Sequence, residues 1–282
     1  MTQRLVIGLL FATTIIRIAL IAGNWGFEDV EAYWQAALRL RDGQPLYPTG
    51  VDPDSYAVFR YTPWFAWLWV PLTYLDRGIV EWAWGALLAA ASLAILVALL
   101  RLRSPAAAAL ALIITPWLLS LVQVGNNQPL VVAALAFGTS RWSGPVWVAL
   151  AASLKVVPIL WTLVYVARRE WLKVAITVVL AVVLSAPVLL NDLAGYSTDP
   201  GRSFSLYYWI SPAAWAAAAI ASAGLALVLA WRRSEWLWPA IAAAVMLAAP
   251  RSHVTYATFL VVGLLHGSRD WIRSGQGGDH GA

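Results

Sequence analysis

Residues 79–100 read IVEWAWGALLAAASLAILVALL, a run whose only charged side chain is Glu81, close to its start. A bilayer core needs about 20 apolar residues per helix, so this run is long enough to cross one. Outward from it, comparable apolar runs occupy 5–23, 62–75, 106–124, 128–140, 144–166, 172–190, 212–231, 236–249 and 255–268. The pattern predicts an all-α, polytopic integral membrane protein of roughly eight to ten transmembrane helices. The runs at 62–75, 128–140, 236–249 and 255–268 are short enough to be tilted, broken or re-entrant.

Composition agrees. Of 282 residues, 61% are hydrophobic and 12% charged, against about 45–50% and about 25% in soluble domains. Cysteine is absent, which removes disulfides, thiolate metal sites and thiol nucleophiles. The three histidines, His253, His266 and His280, are too far apart in sequence for a local metal motif. The net charge of +5 rests on arginine, since Lys155 and Lys173 are the only lysines. In a membrane chain this excess reflects basic loops kept on the cytoplasmic side and does not call for nucleic acid. Many of the 18 tryptophans stand near the ends of apolar runs, as interfacial anchors do.

The first run follows Arg4, is long for a signal peptide and has a poor cleavage site, so it reads as an uncleaved anchor with a cytoplasmic N-terminus. The pairs Arg168/Arg169 with Lys173, Arg232/Arg233, and Arg269/Arg273 then all fall inside. Segments 24–61, 191–211 and 250–254 fall outside. Two arrangements of the middle remain. Strict alternation of ten spans puts Arg101 and Arg103 outside and the Gly125–Gln128 turn inside; making 62–75 and 128–140 half-helices reverses both and leaves eight crossings. Either way both termini are cytoplasmic. Residues 1–273 read as a single transmembrane domain and the Gly-rich stretch 274–282 as a disordered tail.

The first external loop, 24–61, holds Glu28, Asp29, Glu31, Asp42, Asp52 and Asp54, six of the fourteen acids of the chain, against three arginines. Val30, Tyr33, Trp34, Ala37 and Leu38 recur at helical spacing, with Glu31, Gln35 and Arg39 opposite. This predicts an amphipathic interfacial helix ending near Gly43 and Pro45. Asp29 at its first turn suits a helix cap, and equally a general base for a hydroxyl that slides along the membrane surface. Asp52 and Asp54, flanking Pro53, read as turn formers.

Charged groups within apolar runs are expensive and so are functional candidates. Lys155 lies within 144–166, just before Pro158, a helix-kinking residue. Arg17 in the first run suits snorkelling or phosphate binding. Arg251, His253, Thr255 and Tyr256 cluster after Pro250, suiting a phosphate leaving group or an ordinary polar loop, and Arg202 is a weaker cation of the same kind. Asn126, Asn127 and Gln128 offer amides for sugar hydroxyls or simply form an interhelical turn. No phosphate loop, zinc motif, catalytic-triad order or dinucleotide fingerprint is present.

Taken in order, several segments resemble glycosyltransferase family 87. They are Asp29-Val30-Glu31-Ala32-Tyr33-Trp34, Gly43-Gln44-Pro45-Leu46-Tyr47-Pro48, Phe59-Arg60-Tyr61-Thr62-Pro63, Pro71-Leu72, Gly125-Asn126-Asn127-Gln128-Pro129, Leu154-Lys155-Val156-Val157-Pro158 and Pro250-Arg251-Ser252-His253. The family comprises integral-membrane mannosyltransferases of the GT-C superfamily that use a polyprenyl-phosphate sugar donor. The resemblance implies Asp29 as the catalytic base. Lys155, Arg251, His253, Arg202 and Arg17 then become candidates for the donor phosphate, and Tyr33, Arg60, Tyr61, Asn127 and Gln128 for the sugar or acceptor. It implies membrane lipids, a lipid-linked donor and a lipid or glycan acceptor as partners, with no required cofactor, although some GT-C enzymes use a divalent metal. The function so read is inverting transfer of a hexose, mannose above all, at the external face of the cell membrane. Two other readings stand beside it: a transporter or flippase of a lipid-linked sugar, for which broken helices and a midplane lysine are equally expected, and a catalytically inactive scaffold subunit.

Overall fold

The computed structural model describes residues 8, 11–12, 15–16, 19–20, 26–52, 55, 58–196 and 203–275, with side chains as far as residue 267. Described positions between 8 and 20 are helical; Arg17, Arg202 and residues 276–282 lie outside the described set, and the stretch read as a disordered tail begins with two helical residues, Ser274 and Gly275. Among the described residues there is no strand. The chain is an all-α polytopic membrane protein. By length and composition, four helical segments can cross a bilayer: Arg77–Leu100, Pro105–Val124, Trp171–Leu190 and Pro212–Trp231.

Helix α1 is Glu28–Arg41. Acids Glu28, Asp29 and Glu31 sit in its first turn and Arg39 and Arg41 in its last, the order that the helix dipole favours. Its N-cap is Phe27 in a left-handed conformation, with no side-chain cap bond, so Asp29 is not the cap that its position suggested. The Phe27 carbonyl accepts from the Val30 and Glu31 amides instead. Gly43, at φ +66°, ends the helix, and the Gln44 amide donates to the Arg39 carbonyl. Burial is broader than the predicted stripe. Ala32 and Ala36 are buried along with Val30, Tyr33, Trp34 and Ala37, because α1 packs into the protein on more than one side.

Helix α2 (Pro63–Trp69) runs into a 3-10 turn, Val70–Tyr74, and both pack on α1. They are too short to span. Helix α3 (Arg77–Leu100) starts beside α1, where Arg77 pairs with Glu31 at 2.5 Å and Trp82 meets the Phe27 ring edge-on at 5.7 Å. Helix α4 (Pro105–Val124) returns alongside it. Arg101 and Arg103 therefore lie at the far end of the bundle and the Gly125–Gln128 turn at the end that carries α1. The arrangement that makes 62–75 and 128–140 half-helices has the same disposition of these two turns, but 128–140 is not a half-helix that turns back: it runs on to the far end.

The next segment corrects the sequence reading. Helix α5 (Gln128–Gly138) descends, and α6 (Gly144–Lys155) climbs back, at 1.5 Å per residue about 16 and 18 Å long. At Val156 the chain reverses. A 3-10 turn, Val157–Thr162, and helix α7 (Leu163–Ala167) run back to the far end. The Tyr165 hydroxyl there donates to the Thr139 carbonyl at 2.9 Å, and a Cβ on Gly144 would fall 2.3 Å from that hydroxyl. The run 144–166 is thus not one span but a hairpin with Lys155 and Val156 at its tip. Pro158 supplies the cause: it has no N–H to continue the helix and biases the preceding residue away from helical geometry.

Helices α8 (Trp171–Ser185), α9 (Leu206–Trp209), α10 (Pro212–Trp231), α11 (Leu237–Ala248) and α12 (Leu260–Gly275) complete the bundle, with a 3-10 turn, Val254–Phe259, before α12. The far end is marked by Arg169 over the Trp231 ring at 3.9 Å and by Trp238 stacked on His266 at 4.3 Å.

Candidate active site

Four elements meet at the α1 end. The Phe27 amide donates to the Gln123 carbonyl at 3.1 Å, tying the start of α1 to the end of α4. Gly125 follows in the left-handed region, φ +76°, and the Trp84 indole donates to its carbonyl at 2.8 Å. The Thr62 hydroxyl and the Trp64 indole both bond to Ser153, each at 3.1 Å, fixing the hairpin leg two residues before Lys155. On the other side, the Gln128 side-chain amide donates to the Thr255 carbonyl at 2.7 Å and the Thr258 hydroxyl at 2.9 Å, holding the segment after His253.

Between them is a cavity of about 1080 Å³. Its polar side is lined by Asp29, Tyr33, Ser55, Arg60, Tyr61, Asn126, Gln128, Lys155, Arg251, His253 and Tyr256. The rest of the lining is largely apolar: Trp117, Leu121 and Val124 of α4, Val156, Val157, Ile159 and Leu160 at and past the hairpin tip, and Trp215, Ala219, Ile220 and Ala223 of α10. The cavity therefore combines charged and hydrogen-bonding side chains with an apolar lining.

Asp29 faces the cavity and accepts from the Asn126 side-chain amide at 2.5 Å. Burial pushes its carboxyl above the usual aspartate range; the Asn126 bond and the Lys155 charge oppose this without cancelling it. The Lys155 ammonium donates to the Asn126 carbonyl oxygen at 3.3 Å and stands 5.8 Å from the ring centres of both Tyr61 and Tyr256. Tyr33 is fully buried and donates to the Tyr61 hydroxyl at 3.3 Å, so its polar atom supports Tyr61. Burial, then the charges of Arg251, Lys155 and Arg60, hold His253 below the usual histidine range. A lowered value favours the uncharged imidazole at neutral pH, which can donate a hydrogen bond through one ring nitrogen.

Of the residues singled out from sequence, Asp29, Tyr33, Arg60, Tyr61, Gln128, Lys155, Arg251 and His253 line one cavity. Asn127 does not: it is buried outside the cavity wall, and its amide has no partner among the described residues. Asn126 takes the place expected of it. The signal was the glycine before it, whose left-handed turn aims residue 126 back toward α1. Arg17 and Arg202 fall outside the described residues. Among the described residues no group of three His, Cys, Asp or Glu could hold a metal ion.

The glycosyltransferase family 87 model matches residues 59–209, more than half of the chain. The chain belongs to glycosyltransferase family 87. It is a membrane glycosyltransferase, and the matched region contains Arg60, Tyr61, Asn126, Gln128 and Lys155 of the cavity. No curated protein and no solved structure matches it.

Proposed function

We propose that this family-87 enzyme transfers a hexose, mannose in the first instance, from a polyprenyl-phosphate donor to a hydroxyl of a lipid or glycan acceptor, with inversion at the anomeric carbon. The observation that carries the proposal is the cavity itself, in which one half-buried carboxylate, Asp29, shares the lining with three cations, Arg60, Lys155 and Arg251, and with many apolar side chains. Asp29 accepts the proton of the acceptor hydroxyl as its oxygen bonds to the anomeric carbon. The bond from that carbon to the phosphate oxygen breaks, and the electron pair leaves with the polyprenyl phosphate. Lys155, Arg60 and Arg251 stabilise that charge where water is scarce, and neutral His253 donates a hydrogen bond to it. The proton then passes from Asp29 to water. This reading favours transfer over transport, since a flippase needs no base.

Charge supports an external active site. Among the described residues the far end carries Arg101, Arg103, Arg141, Arg168, Arg169, Lys173, Arg232 and Arg233 against Glu170 and Glu235, whereas the α1 end is rich in acids. Basic loops stay on the cytoplasmic side.

The test is transfer of radiolabelled mannose from polyprenyl-phosphate mannose in membranes, comparing the wild type with Asp29→Asn. Loss of transfer by about a hundredfold or more is expected when a general base is removed. Unchanged transfer overturns the assignment of Asp29.

A further inference from the structure

The orientation of an Asn amide is usually ambiguous, but here its partners settle it. The Gln128 backbone N–H donates to the Asn126 carbonyl oxygen at 2.9 Å, and so does the Lys155 ammonium at 3.3 Å. Neither partner can accept, so the NH2 group necessarily faces Asp29, to which it donates. The amide cannot retreat, because it follows the Gly125 turn that Trp84 clamps to α3. Asp29 and Lys155 are consequently bridged through one amide and form no direct ion pair. One Asp29 oxygen is engaged by Asn126, which leaves the other for a substrate hydroxyl.

We propose that Asn126 is a positioning residue: it spaces the carboxylate from the ammonium so that the first serves the acceptor and the second the leaving group. Without the spacer, opposite charges this close in a poorly solvated cavity collapse onto each other. A carboxylate paired with an ammonium is a weaker base, and an ammonium so paired is less available to a phosphate. The groups that face Asp29 are Glu28 on its own helix, Arg60, Lys155 of the hairpin tip, and the Tyr33 and Tyr61 hydroxyls. Lys155 is the cation that the amide holds back.

The inference rests on Asp29 as the base, so its test reads the carboxyl without requiring transfer. A hydrophobic carbodiimide reacts with protonated carboxyls, and labelling of Asp29 against pH, followed by peptide mass, gives a midpoint; Asp29→Asn supplies the blank. In full-length protein in membranes, Asn126→Ala lets Lys155 close on Asp29, and the midpoint falls by about one pH unit. In the Lys155→Met background the same change moves the midpoint upward, because only a hydrogen bond is lost. Asn126→Ser, kinder to a turn, behaves as Asn126→Ala. In transfer assays the single variant loses kcat by about tenfold or more, and the KM for the donor rises as the paired ammonium is withdrawn from the phosphate. A midpoint that is unmoved or raised by Asn126→Ala overturns the spacing role. If Asp29→Asn retains transfer while the midpoints move as stated, catalysis by Asp29 fails and the spacing stands.

Discussion

Gly125 lies hard against Val30: a Cβ on Gly125 would come 2.4 Å from Val30 Cγ2, and the glycine is at φ +76°. Two separate demands, a left-handed backbone and an absent side chain, meet at the residue that delivers Asn126 to Asp29. Gly125→Ala therefore costs about 2–4 kcal/mol of stability, from backbone strain and overpacking together. It also displaces the amide from the carboxylate, so transfer falls more than the folded fraction does. Thermal denaturation and initial rates on the same preparation separate the two effects.

The acid limb of transfer follows the sign of the Asp29 shift. A base must be ionised, and burial raises this carboxyl, so activity is lost on acidification at a pH above the ordinary aspartate range. Stability runs the other way. The folded state holds the proton more tightly than the unfolded chain, so stability is fully present below the unfolded value and is lost as pH rises through the folded one. Asp29→Asn should accordingly raise Tm at neutral pH while abolishing transfer. A lower Tm for this variant contradicts the assigned burial penalty.

Val156 at the hairpin tip has φ 57° and ψ −61°, a conformation costly for a β-branched residue, and its side chain is 73% exposed. Val156→Gly removes strain of about 1–3 kcal/mol and adds unfolded-state entropy of about 1 kcal/mol. Stability should stay level or rise. In a continuous helix the same change would lower it by about 1 kcal/mol or more, so a melting curve distinguishes a tip from a span.

Thr62→Val keeps the shape of a buried side chain but deletes its bond to the Ser153 carbonyl. A loss of about 1–2 kcal/mol is expected. Lys155, two residues beyond Ser153, loses its anchor, and with the donor-phosphate role proposed for it the KM for the donor should rise.

Because the chain contains no cysteine, introduced thiols report the sidedness of the two ends without background. Ser55→Cys lines the cavity and should react with an impermeant maleimide from outside intact cells. Ser234→Cys at the far end should react only after permeabilisation. The reverse pattern places the active site in the cytoplasm.

The long apolar runs and the helix in the acidic loop were legible because burial imposes a period on sequence. The reversal at Val156 was not. Both legs are apolar, and 144–166 has the length of one crossing, so composition cannot tell a hairpin from a span; Pro158 marked the break but not its angle. Lys155 was readable because a charge amid apolar sequence is conspicuous, whereas Asp29, Arg60 and Arg251 stand in polar segments, and Arg60 was singled out only by the family resemblance. Which amide of Asn126, Asn127 and Gln128 faces Asp29 was not readable, since three adjacent amides carry no periodicity and their aim is set by the Gly125 backbone. The state of His253 was equally hidden, because it depends first on its burial and then on Arg251, Lys155 and Arg60, which are brought together from three separate segments.

Tyr33, one turn after Asp29, is ringed by Tyr61, Phe65, Trp69 and Trp84, with centroids 5.3, 4.9, 5.2 and 6.2 Å away. The helix that carries the Asp29 carboxylate is thereby anchored in the bundle. With the lipid-linked donor proposed above, encounter with this anchored site depends on two-dimensional diffusion within the leaflet, so turnover should follow the mole fraction of donor among the surrounding lipids and ignore how much membrane is suspended in the assay.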